Sequence, residues 1–461
     1  MSTPKKHVLF PFTSKGHIAG FLSLASRLHR ILPHATITLV STPRNVAALR
    51  AAAAAPFLDF HALRFDPAEH GLPPGGESQD EIFPPLLIPL YEAFETLQPA
   101  FDDFVASTAA AAARVVVISD VFVAWTVEVA RRHGCGHAFF ASCGAFGSAV
   151  THSLFTHLPL RPEEPSGRVF LPEYPDRPCH PQVAGAQVHA LPVRPARCRR
   201  FLDRQLAHGN NTDAVLVNAV AEPEPAGLAM LRRTLRVLPV WPIGPLSRDR
   251  RDAATEPTDD TVLRWMDTQP PGSVLYISFG TNSMIRPEHM LELAAALESS
   301  GRCFLWKIKP PEGDVAGLNG GATTPSSYNR WLAEGFEERV TASKRGLLVR
   351  RHCGWSSVLE SMAHGVPVIG WLLTAEQFHN VMVLEGLGVC VEVARGNTDE
   401  TVVERRRVAE VVKMVMGETA KADDMRRRVQ EVRTMMVDAW KEEGGSSFEA
   451  SQAFLEAMKL K

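Results

Sequence analysis

Short apolar runs rich in β-branched residues alternate along the chain with segments whose apolar residues recur at helical spacing. In the first half, the runs HVLFPF, TITLVS and VVVISD are typical of buried strands, and residues 18–32 follow the roughly 3.6-residue period of a helix. This alternation predicts βαβ units around a parallel sheet. We therefore expect an α/β protein of doubly wound architecture.

The pattern breaks at PVWPIGPLSRDRRDAATEPTDD, which is rich in Pro, Asp and Arg and has no periodic apolar face. This composition is typical of an interdomain linker. The alternation then restarts with the strand-like runs SVLYISFG, CFLWKI, VPVIG and VCVEV and a helix over 287–300 that Gly301 closes. We predict two doubly wound domains in tandem, with a first domain over 1–245, a linker over 246–261 and a second domain over 262–461.

Charge and cysteine content narrow the functional classes. Lys and Arg number 49 against 51 Asp and Glu, so a broad basic surface for nucleic acid is not expected. No apolar stretch reaches the roughly 18 residues that cross a bilayer, and the N-terminus lacks a secretory apolar region. The seven cysteines are scattered and form no CxxC pair, which argues against disulfides and zinc. We expect a cytoplasmic protein without a membrane span.

The segment 401–440 is charged and helical, with arginine runs at 405–407 and 426–428. A solvated helix face is the ordinary interpretation of such runs. The alternative is a binding or scaffold protein that uses this tail, and it requires an exposed apolar stripe there. The candidates for that stripe are Met414, Met416, Met435 and Met436.

Two polar residues follow strands that the usual doubly wound order places side by side. His17 lies after the first strand, next to Gly16, and Asp120 ends the run VVVISD, the predicted fourth strand. Ligands of open parallel sheets bind at the carboxyl ends of the strands, where strand order reverses. A His paired with a carboxylate is a base held in one tautomer, whose cation the Asp stabilises. The alternative is that each residue is a satisfied polar group or a helix cap.

A second group of candidates lies in RHCGWSSVLESMAHGVPVIGW. A Gly-containing turn that leads into a helix presents free N–H groups and a positive dipole end, which suit a phosphate. A capping box between Ser357 and Glu360 is the alternative without a ligand. The candidates here are His352, Gly354, Trp355, Ser356, Ser357 and Glu360.

Two further groups follow predicted strands. They are Trp371, Glu376 and Gln377 after VPVIG, and Gly280, Thr281 and Ser283 in SFGTNS. The adjacent acid and amide can bind several hydroxyls, as a sugar ring requires, or can form the solvated first turn of a helix. The second group adds donors for a phosphate. Because the chain has no Walker loop, no GxGxxG after a strand and no Asp-x-Asp pair, a diphosphate would be stabilised by helix ends and side chains without metal.

Five motifs together resemble the plant UDP-dependent glycosyltransferases of small-molecule metabolism, over nearly the whole chain. They are FPFTSKGH, ISDVFVAWT, PIGPL, VLYISFGTNS and HCGWSSVLESMAHGVPVIGWLLTAEQFHN. The last is similar to the downstream part of that family's signature box. The resemblance implies two facing Rossmann-like domains of GT-B type, with the acceptor held mainly by the first and the nucleotide sugar mainly by the second.

The resemblance also implies roles for individual residues. His17 would deprotonate the acceptor hydroxyl, and Asp120 would orient the imidazole and balance its charge. His352, Ser356 and Ser357 would contact the diphosphate, Glu360 the ribose, and Trp355, Glu376 and Gln377 the sugar. The implied reaction is displacement at the anomeric carbon with inversion, with no cofactor or metal. Glucose is the default donor sugar, because Gln377 ends the box as in glucose-using relatives.

The chain departs from the family pattern at two points. Ser356 stands where the family usually has Asn. The second departure is a gap in the signature box. GLLV is followed directly by Arg350, Arg351 and His352, so roughly twenty residues are absent compared with the usual spacing of the family's box. The absent segment includes a turn that stacks on uracil, a helix and a strand. We therefore expect a second domain that lacks one strand-helix unit, with its place left empty or filled by a neighbour.

These observations lead to one main hypothesis and two rivals. The main hypothesis is a monomeric glycosyltransferase that transfers a sugar from UDP to a hydroxyl of a small apolar acceptor, in a pocket that includes Phe12, Phe83 and Phe122. The first rival is a non-catalytic or impaired homologue that lacks the uracil-binding turn. The second is the scaffold protein of the Arg-rich tail.

Overall fold

The computed structural model describes residues 5–51, 55–82, 84–157, 169–171, 173–179, 195–246, 260–279, 285–308, 331–349, 355–373, 377–397, 401 and 403–460. The chain divides into two compact units. The first unit comprises Met1–Glu256 and Thr434–Lys461, and the second comprises Pro257–Arg433. None of the described helices combines the length and the apolar composition of a membrane span. Most of the predicted linker over 246–261 lies outside the described residues.

The first unit contains a seven-stranded parallel sheet and a small antiparallel pair. Its strands are β1 (Lys5–Phe10), β2 (Thr36–Ser41), β3 (Leu58–Ala62), β4 (Arg114–Ser119), β5 (Gly136–Ala141), β6 (Val169–Leu171), β7 (Tyr174–Cys179), β8 (Ala214–Val217) and β9 (Val240–Pro242). The large sheet has the order β3-β2-β1-β4-β5-β8-β9, and β6 pairs with β7. Strand order reverses between β1 and β4, as the sequence predicts.

Helices lie between the strands, as the 3.6-residue period indicates. They are α1 (Lys15–Ile31), α2 (Pro43–Ala51), α3 (Leu87–Glu95), α4 (Gln98–Ala110), α5 (Thr126–Arg132), α6 (Ala145–His157), α7 (Pro195–Gly209) and α8 (Pro225–Leu235). The central strands β1 and β4 are buried along nearly their whole length. Apolar clusters on both faces cover the sheet, which explains why its strands are continuous apolar runs instead of alternating ones.

The C-terminal segment packs on the first unit and revises the predicted domain boundary. The predicted second domain, 262–461, extends too far, because Thr434–Lys461 belongs to the first unit. Phe454 and Leu455 are buried in the cluster on one face of the large sheet. The Lys5 ammonium donates to the Leu460 carbonyl at 2.9 Å, and Arg114 Nε donates to the Met458 carbonyl at 3.0 Å. These contacts join the two ends of the chain within one unit.

The second unit repeats the alternation. Its strands are β10 (Val274–Ile277), β11 (Cys303–Lys307), β12 (Gly346–Val349), β13 (Val368–Leu372) and β14 (Cys390–Arg395). The remaining helices are α9 (Asp260–Asp267), α10 (Pro287–Ser300), α11 (Phe336–Ala342), α12 (Trp355–Ala363), α13 (Gln377–Gly386), α14 (Arg405–Met416), α15 (Ala420–Asp438) and α16 (Ser446–Ala457), of which α16 lies in the first unit. Gly301 ends α10 in the left-handed conformation, at φ 67°.

The sheet of the second unit is split. Strands β10, β11 and β12 form one parallel sheet, and β13 pairs only with β14 among the described residues. GLLV, as β12, takes an edge position beside β11. The exposure of β10 also departs from a central strand, because Tyr276 is 51% exposed. One apolar cluster nevertheless includes side chains from both sheets.

The helical tail has the solvated charged face that its composition predicts. Arg405 pairs with Glu292 on α10, and the arginines of the second run pair with acidic residues of their own helix. Of the four methionines proposed for an apolar stripe, Met436 is buried and Met435 is exposed. The described tail therefore lacks the continuous apolar stripe that the scaffold hypothesis requires.

Candidate active site

The structure brings His17 and Asp120 together at the carboxyl edge of the large sheet. His17 is in the first turn of α1, where its N–H donates to the Ser14 hydroxyl at 3.5 Å. Asp120 directly follows β4, and its N–H donates to the Phe10 carbonyl at 3.0 Å. His17 Nδ1 lies 2.5 Å from Asp120 Oδ2. Two residues 103 positions apart thus form one pair, because β1 and β4 are neighbours in the sheet.

His17 and Asp120 differ in solvent exposure. The difference suits a partly exposed base, His17, that a buried carboxylate, Asp120, holds in place. The Asp120 side chain is 2% exposed, and that of His17 is 28% exposed. The other carboxylate oxygen, Oδ1, accepts the Phe122 N–H at 3.1 Å. An ionised carboxylate can only accept, so beside an ionised Asp120 the imidazole would donate through Nδ1 and keep its lone pair on Nε2. The arrangement can accept a proton on Nε2 and stabilise the resulting cation.

Residues that the sequence analysis missed hold the loop in front of α1. The Thr13 hydroxyl donates to the Glu77 carbonyl at 2.5 Å and accepts from Asn45 Nδ2 at 2.7 Å. The Gln79 N–H donates to the Thr13 carbonyl at 2.9 Å. Asp80 Oδ2 accepts the Lys15 N–H at 2.7 Å, close to the positive end of the helix. Pairing between two distant loops leaves no local sequence pattern.

Aromatic rings surround the imidazole. Phe12 and Phe122 lie 6.1 and 6.0 Å from His17, measured between ring centroids. Tyr91 stacks on Phe122 at 4.8 Å and meets Phe12 edge-on at 4.7 Å. Burial and the nearby Asp120 carboxylate raise the pKa of Tyr91 above its usual range, so this phenol stays neutral.

The predicted acceptor pocket therefore changes in composition. Phe12 is fully buried, so it supports the neighbouring rings and cannot line a pocket directly. Phe122 is half-buried and remains available to an apolar ligand. Phe83 lies outside the described residues. Tyr91, which the sequence analysis did not single out, joins the aromatic group through its contact with Phe122.

Half of the predicted donor-side residues lie outside the described part of the chain. They are Gly280, Thr281, Ser283, His352, Gly354 and Glu376. Trp355 and Ser356 begin α12, so a helix does start at this motif. The alternative of a capping box with Ser357 as the N-cap does not fit this helix, because the helix begins at Trp355 and Ser357 lies within its first turn. Glu360 follows one turn later on the same helix.

Gln377 lies within the described residues, and its carboxamide forms hydrogen bonds with two separate backbone groups. Its Oε1 accepts the Leu373 N–H at 2.8 Å, and its Nε2 donates to the Phe279 carbonyl at 3.3 Å. Trp371, on β13, packs its ring perpendicular to Phe279 at 5.3 Å between centroids. The structure thus brings two of the three residues predicted after VPVIG close to the end of β10.

Comparisons with known proteins show that this fold is that of glycosyltransferases of the GT-B class. The family profile described as "Glycosyltransferase, N-terminal domain" matches residues 6–172, and that described as "UDP-glucoronosyl and UDP-glucosyl transferase" matches residues 253–426. UDP-glycosyltransferase 92A1 of Arabidopsis thaliana is 34% identical, over 98% of this chain and 97% of its own length. Crocetin glucosyltransferase 3 of Crocus sativus is 31% identical, over 96% of each.

Solved structures agree on the fold. Glycyrrhiza uralensis UGT73P12 superposes with a TM-score of 0.81 at 24% identity, covering 100% of this chain and 96% of the other. The apo structure of Phytolacca americana UGT2 superposes with a TM-score of 0.77 at 25% identity, covering 99% of this chain and all of the other. The chain belongs to the plant UDP-glycosyltransferase family. It is a UDP-glycosyltransferase, an enzyme class that transfers a sugar from a UDP-sugar to an acceptor.

Proposed function

We propose that this enzyme transfers glucose from UDP-glucose to a hydroxyl of a small apolar acceptor, with inversion and with His17 as the base. The contact of 2.5 Å between His17 Nδ1 and Asp120 Oδ2 carries this proposal. The half-buried Phe122 beside the imidazole supports an apolar acceptor. Relatives point the same way, since one is named Crocetin glucosyltransferase 3 and one solved structure holds UDP-2fluoro-glucose with pterostilbene.

In the proposed reaction, the acceptor O–H proton moves to Nε2 of His17 as the acceptor oxygen attacks the anomeric carbon. The new glycosidic C–O bond forms while the bond between the anomeric carbon and the diphosphate oxygen breaks. UDP leaves with the electron pair of that bond. Asp120 stabilises the imidazolium, as a buried carboxylate next to a cation does. The step needs no oxidant or reductant.

The proposed donor site rests on the residues singled out in the sequence. His352, Ser356 and Ser357 would bind the diphosphate, with Gly280, Thr281 and Gly354 supplying backbone N–H groups. Glu360 would bind the ribose, and Trp355, Glu376 and Gln377 the sugar. The start of α12 at Trp355 supports this assignment, because a helix N-terminus favours a phosphate. We further propose a monomeric, cytoplasmic enzyme that needs neither metal nor cofactor.

The rival function is an impaired homologue whose donor box is shortened between Val349 and His352. Two observations favour it. The sheet of the second unit is split between β10 and β13. The alignment with the Arabidopsis relative is 488 positions long although it contains only 98% of the 461 residues of this chain, so it has gaps in this chain. Loss of an aromatic that stacks on a base weakens binding by about 1–3 kcal/mol, or roughly ten- to a hundredfold.

One substitution tests the proposed base. His17→Ala should abolish transfer to a phenolic acceptor while leaving UDP affinity, measured by calorimetry, nearly unchanged. Because the imidazole lies on the first unit and the nucleotide is assigned to the second, the two readouts should separate. Loss of UDP binding in parallel with activity would contradict the role of His17 as a base.

An insertion distinguishes the rival. The segment that the Arabidopsis relative carries between the residues matching Val349 and His352 would be inserted at that junction. Restored stacking should strengthen UDP binding about ten- to a hundredfold. Equal UDP affinities with and without the segment would show that another residue replaces the stack. The transcript across this junction is a direct check, because a coding segment found there would make the expressed enzyme full length.

A further inference from the structure

A buried imidazole lies behind the turn that carries Asp120. We define the Asp120 turn as residues 119–126, from the last residue of β4 to the first residue of α5. His137, on the neighbouring strand β5, is only 1% exposed. The proposed reaction gives this side chain no role. Because buried polar groups are nearly always hydrogen-bonded, the partners of this ring show what it holds in place.

One nitrogen of the His137 ring lies between the two ends of the Asp120 turn. Its Nε2 is 3.1 Å from Ser119 Oγ and 3.1 Å from Thr126 Oγ1. The two hydroxyl oxygens are 2.8 Å apart, and Thr126 Oγ1 is also 2.9 Å from the Val123 carbonyl oxygen. Ser119 begins the turn and Thr126 ends it. A single ring nitrogen therefore holds the two ends of the turn together.

The other ring nitrogen is bound outside the turn. His137 Nδ1 lies 2.8 Å from Thr212 Oγ1, and the His137 N–H donates to Asp213 Oδ2 at 2.9 Å, just before β8. A neutral imidazole has one N–H and one lone pair, so in either tautomer it can bond to hydroxyls on both sides. Burial lowers the pKa of His137 to about 3, so the ring is neutral at neutral pH. The ring thus connects the Asp120 turn to the start of β8.

The Asp120 turn carries two groups next to His17. They are the Asp120 carboxylate, with Oδ2 2.5 Å from His17 Nδ1, and the Phe122 ring, 6.0 Å from the imidazole. Within the turn, Asp120 Oδ1 accepts the Phe122 N–H at 3.1 Å, and the Asp120 carbonyl accepts the Val123 N–H at 3.1 Å. These bonds fix the carboxylate relative to the turn, and the bonds of His137 fix the turn relative to the sheet.

We propose that His137 is a positioning residue for the base, holding the Asp120 turn so that the carboxylate meets His17. This inference rests on the proposed function, in which His17 accepts the proton of the acceptor. Because His137 is buried, it acts only through the turn. A displacement of about 1 Å in a reacting group can cost about a hundredfold in rate, so loss of this support should be measurable in kcat.

Two amide substitutions separate the two sides of the ring. Asn and Gln offer the same donors and acceptors, but the amide of Asn reaches the position of Nδ1 and that of Gln the position of Nε2. His137→Gln therefore keeps a polar partner for Ser119 and Thr126, whereas His137→Asn keeps one only for Thr212. His137→Asn should lower kcat about ten- to a hundredfold, and His137→Gln should stay close to the wild-type value. The loss should shrink as phenolic acceptors become more acidic, because an ionised acceptor needs no base.

Amide hydrogen exchange at Phe122 measures the turn without any catalytic readout. A single hydrogen bond changes an opening equilibrium by about three- to tenfold, so this amide, which Asp120 binds, should exchange about that much faster in His137→Asn. In His137→Gln it should exchange as in wild type. His7→Asn is the matched control, because His7 is a buried histidine of the same sheet whose ring nitrogens have no hydrogen-bond partner in the part of the chain that the structure describes. It should leave kcat and Phe122 exchange unchanged, whatever its effect on the free energy of unfolding.

The outcomes separate the positioning role from the proposed base. Equal kcat and equal Phe122 exchange in His137→Asn and His137→Gln would overturn the positioning role. A loss in kcat that is the same for every acceptor would overturn it too, because a general loss of structure affects all acceptors alike. If His17→Ala keeps its activity, the proposed base fails, while Phe122 exchange still decides whether His137 holds the Asp120 turn.

Discussion

Replacement of Asp120 by Asn is the sharpest perturbation of the proposed base. The substitution keeps the size of the side chain and removes its charge. Asp120 Oδ1 accepts the Phe122 N–H at 3.1 Å, so the oxygen of Asn is retained on that side and its NH₂ faces His17 Nδ1. An NH₂ group can only donate, which forces Nδ1 to accept and moves the imidazole proton to Nε2. The nitrogen that should receive the acceptor proton is then blocked.

The size of the expected loss in rate follows from the charge and the burial of Asp120. Two unit charges about 4 Å apart attract by about 4 kcal/mol at an effective dielectric constant of about 20. The Asp120 side chain is 2% exposed, so solvent screens this attraction little. Part of it is replaced by the amide dipole of Asn. Since about 1.4 kcal/mol in the barrier corresponds to tenfold in rate, we expect kcat to fall about 10²- to 10³-fold.

A series of phenolic acceptors of increasing acidity is the assay, with initial rates followed by UDP release. An acceptor that is already ionised needs no base, so the loss caused by Asp120→Asn should shrink as the acceptor becomes more acidic. UDP affinity should match the wild type and serves as the control for folding. An equal loss for every acceptor would refute the reasoning, because Asp120 would then position the substrate without assisting proton transfer.

Two further predictions concern stability. Burial raises the pKa of Glu224 to about 7 from 4.5, so the folded protein holds this proton more tightly than the unfolded chain, and stability is lost as pH rises through that window. Glu224→Gln should remove this loss and raise the free energy of unfolding at pH 8 by about 2 kcal/mol. Denaturant titrations of both proteins at pH 5 and pH 8 measure the gain. A gain in the free energy of unfolding that is equal at the two pH values would contradict the raised pKa. Phe454→Ala should lower the free energy of unfolding by about 3–5 kcal/mol in denaturant titration, because its ring is buried against the large sheet. The exposed Glu456→Ala is the control, and a similarly small effect of both would argue against docking of α16 on the first unit.

The sequence alone predicts the elements that periodicity encodes. The strands at β1, β2 and β4 lie within two residues of their predicted positions, and α10 ends at Gly301 as expected. The order of the large sheet also follows the prediction, since doubly wound sheets use few strand orders. That order places His17 next to Asp120, so the sequence is sufficient to predict that these two residues form a pair.

The sequence does not predict hydrogen bonds between distant loops. The bonds of Thr13 to Glu77 and Asn45 join segments that share no motif. Phe12 follows the first strand as a pocket residue would, yet it is fully buried, because Tyr91 and Phe122 cover it. The position of a residue along the chain predicts which strand it follows, but not which other side chains pack against it.

Local pattern thus determined the α/β alternation, the positions of β1, β2, β4 and α10, and the polar residues that follow β1 and β4. Tertiary structure decided which unit the helix α16 joins and what the Gln377 carboxamide binds. The apolar face of a helix is encoded by spacing of three and four residues, but that spacing is the same whichever sheet receives the face. A polar side chain likewise pairs with whatever donors and acceptors lie within reach, and only packing brings these together.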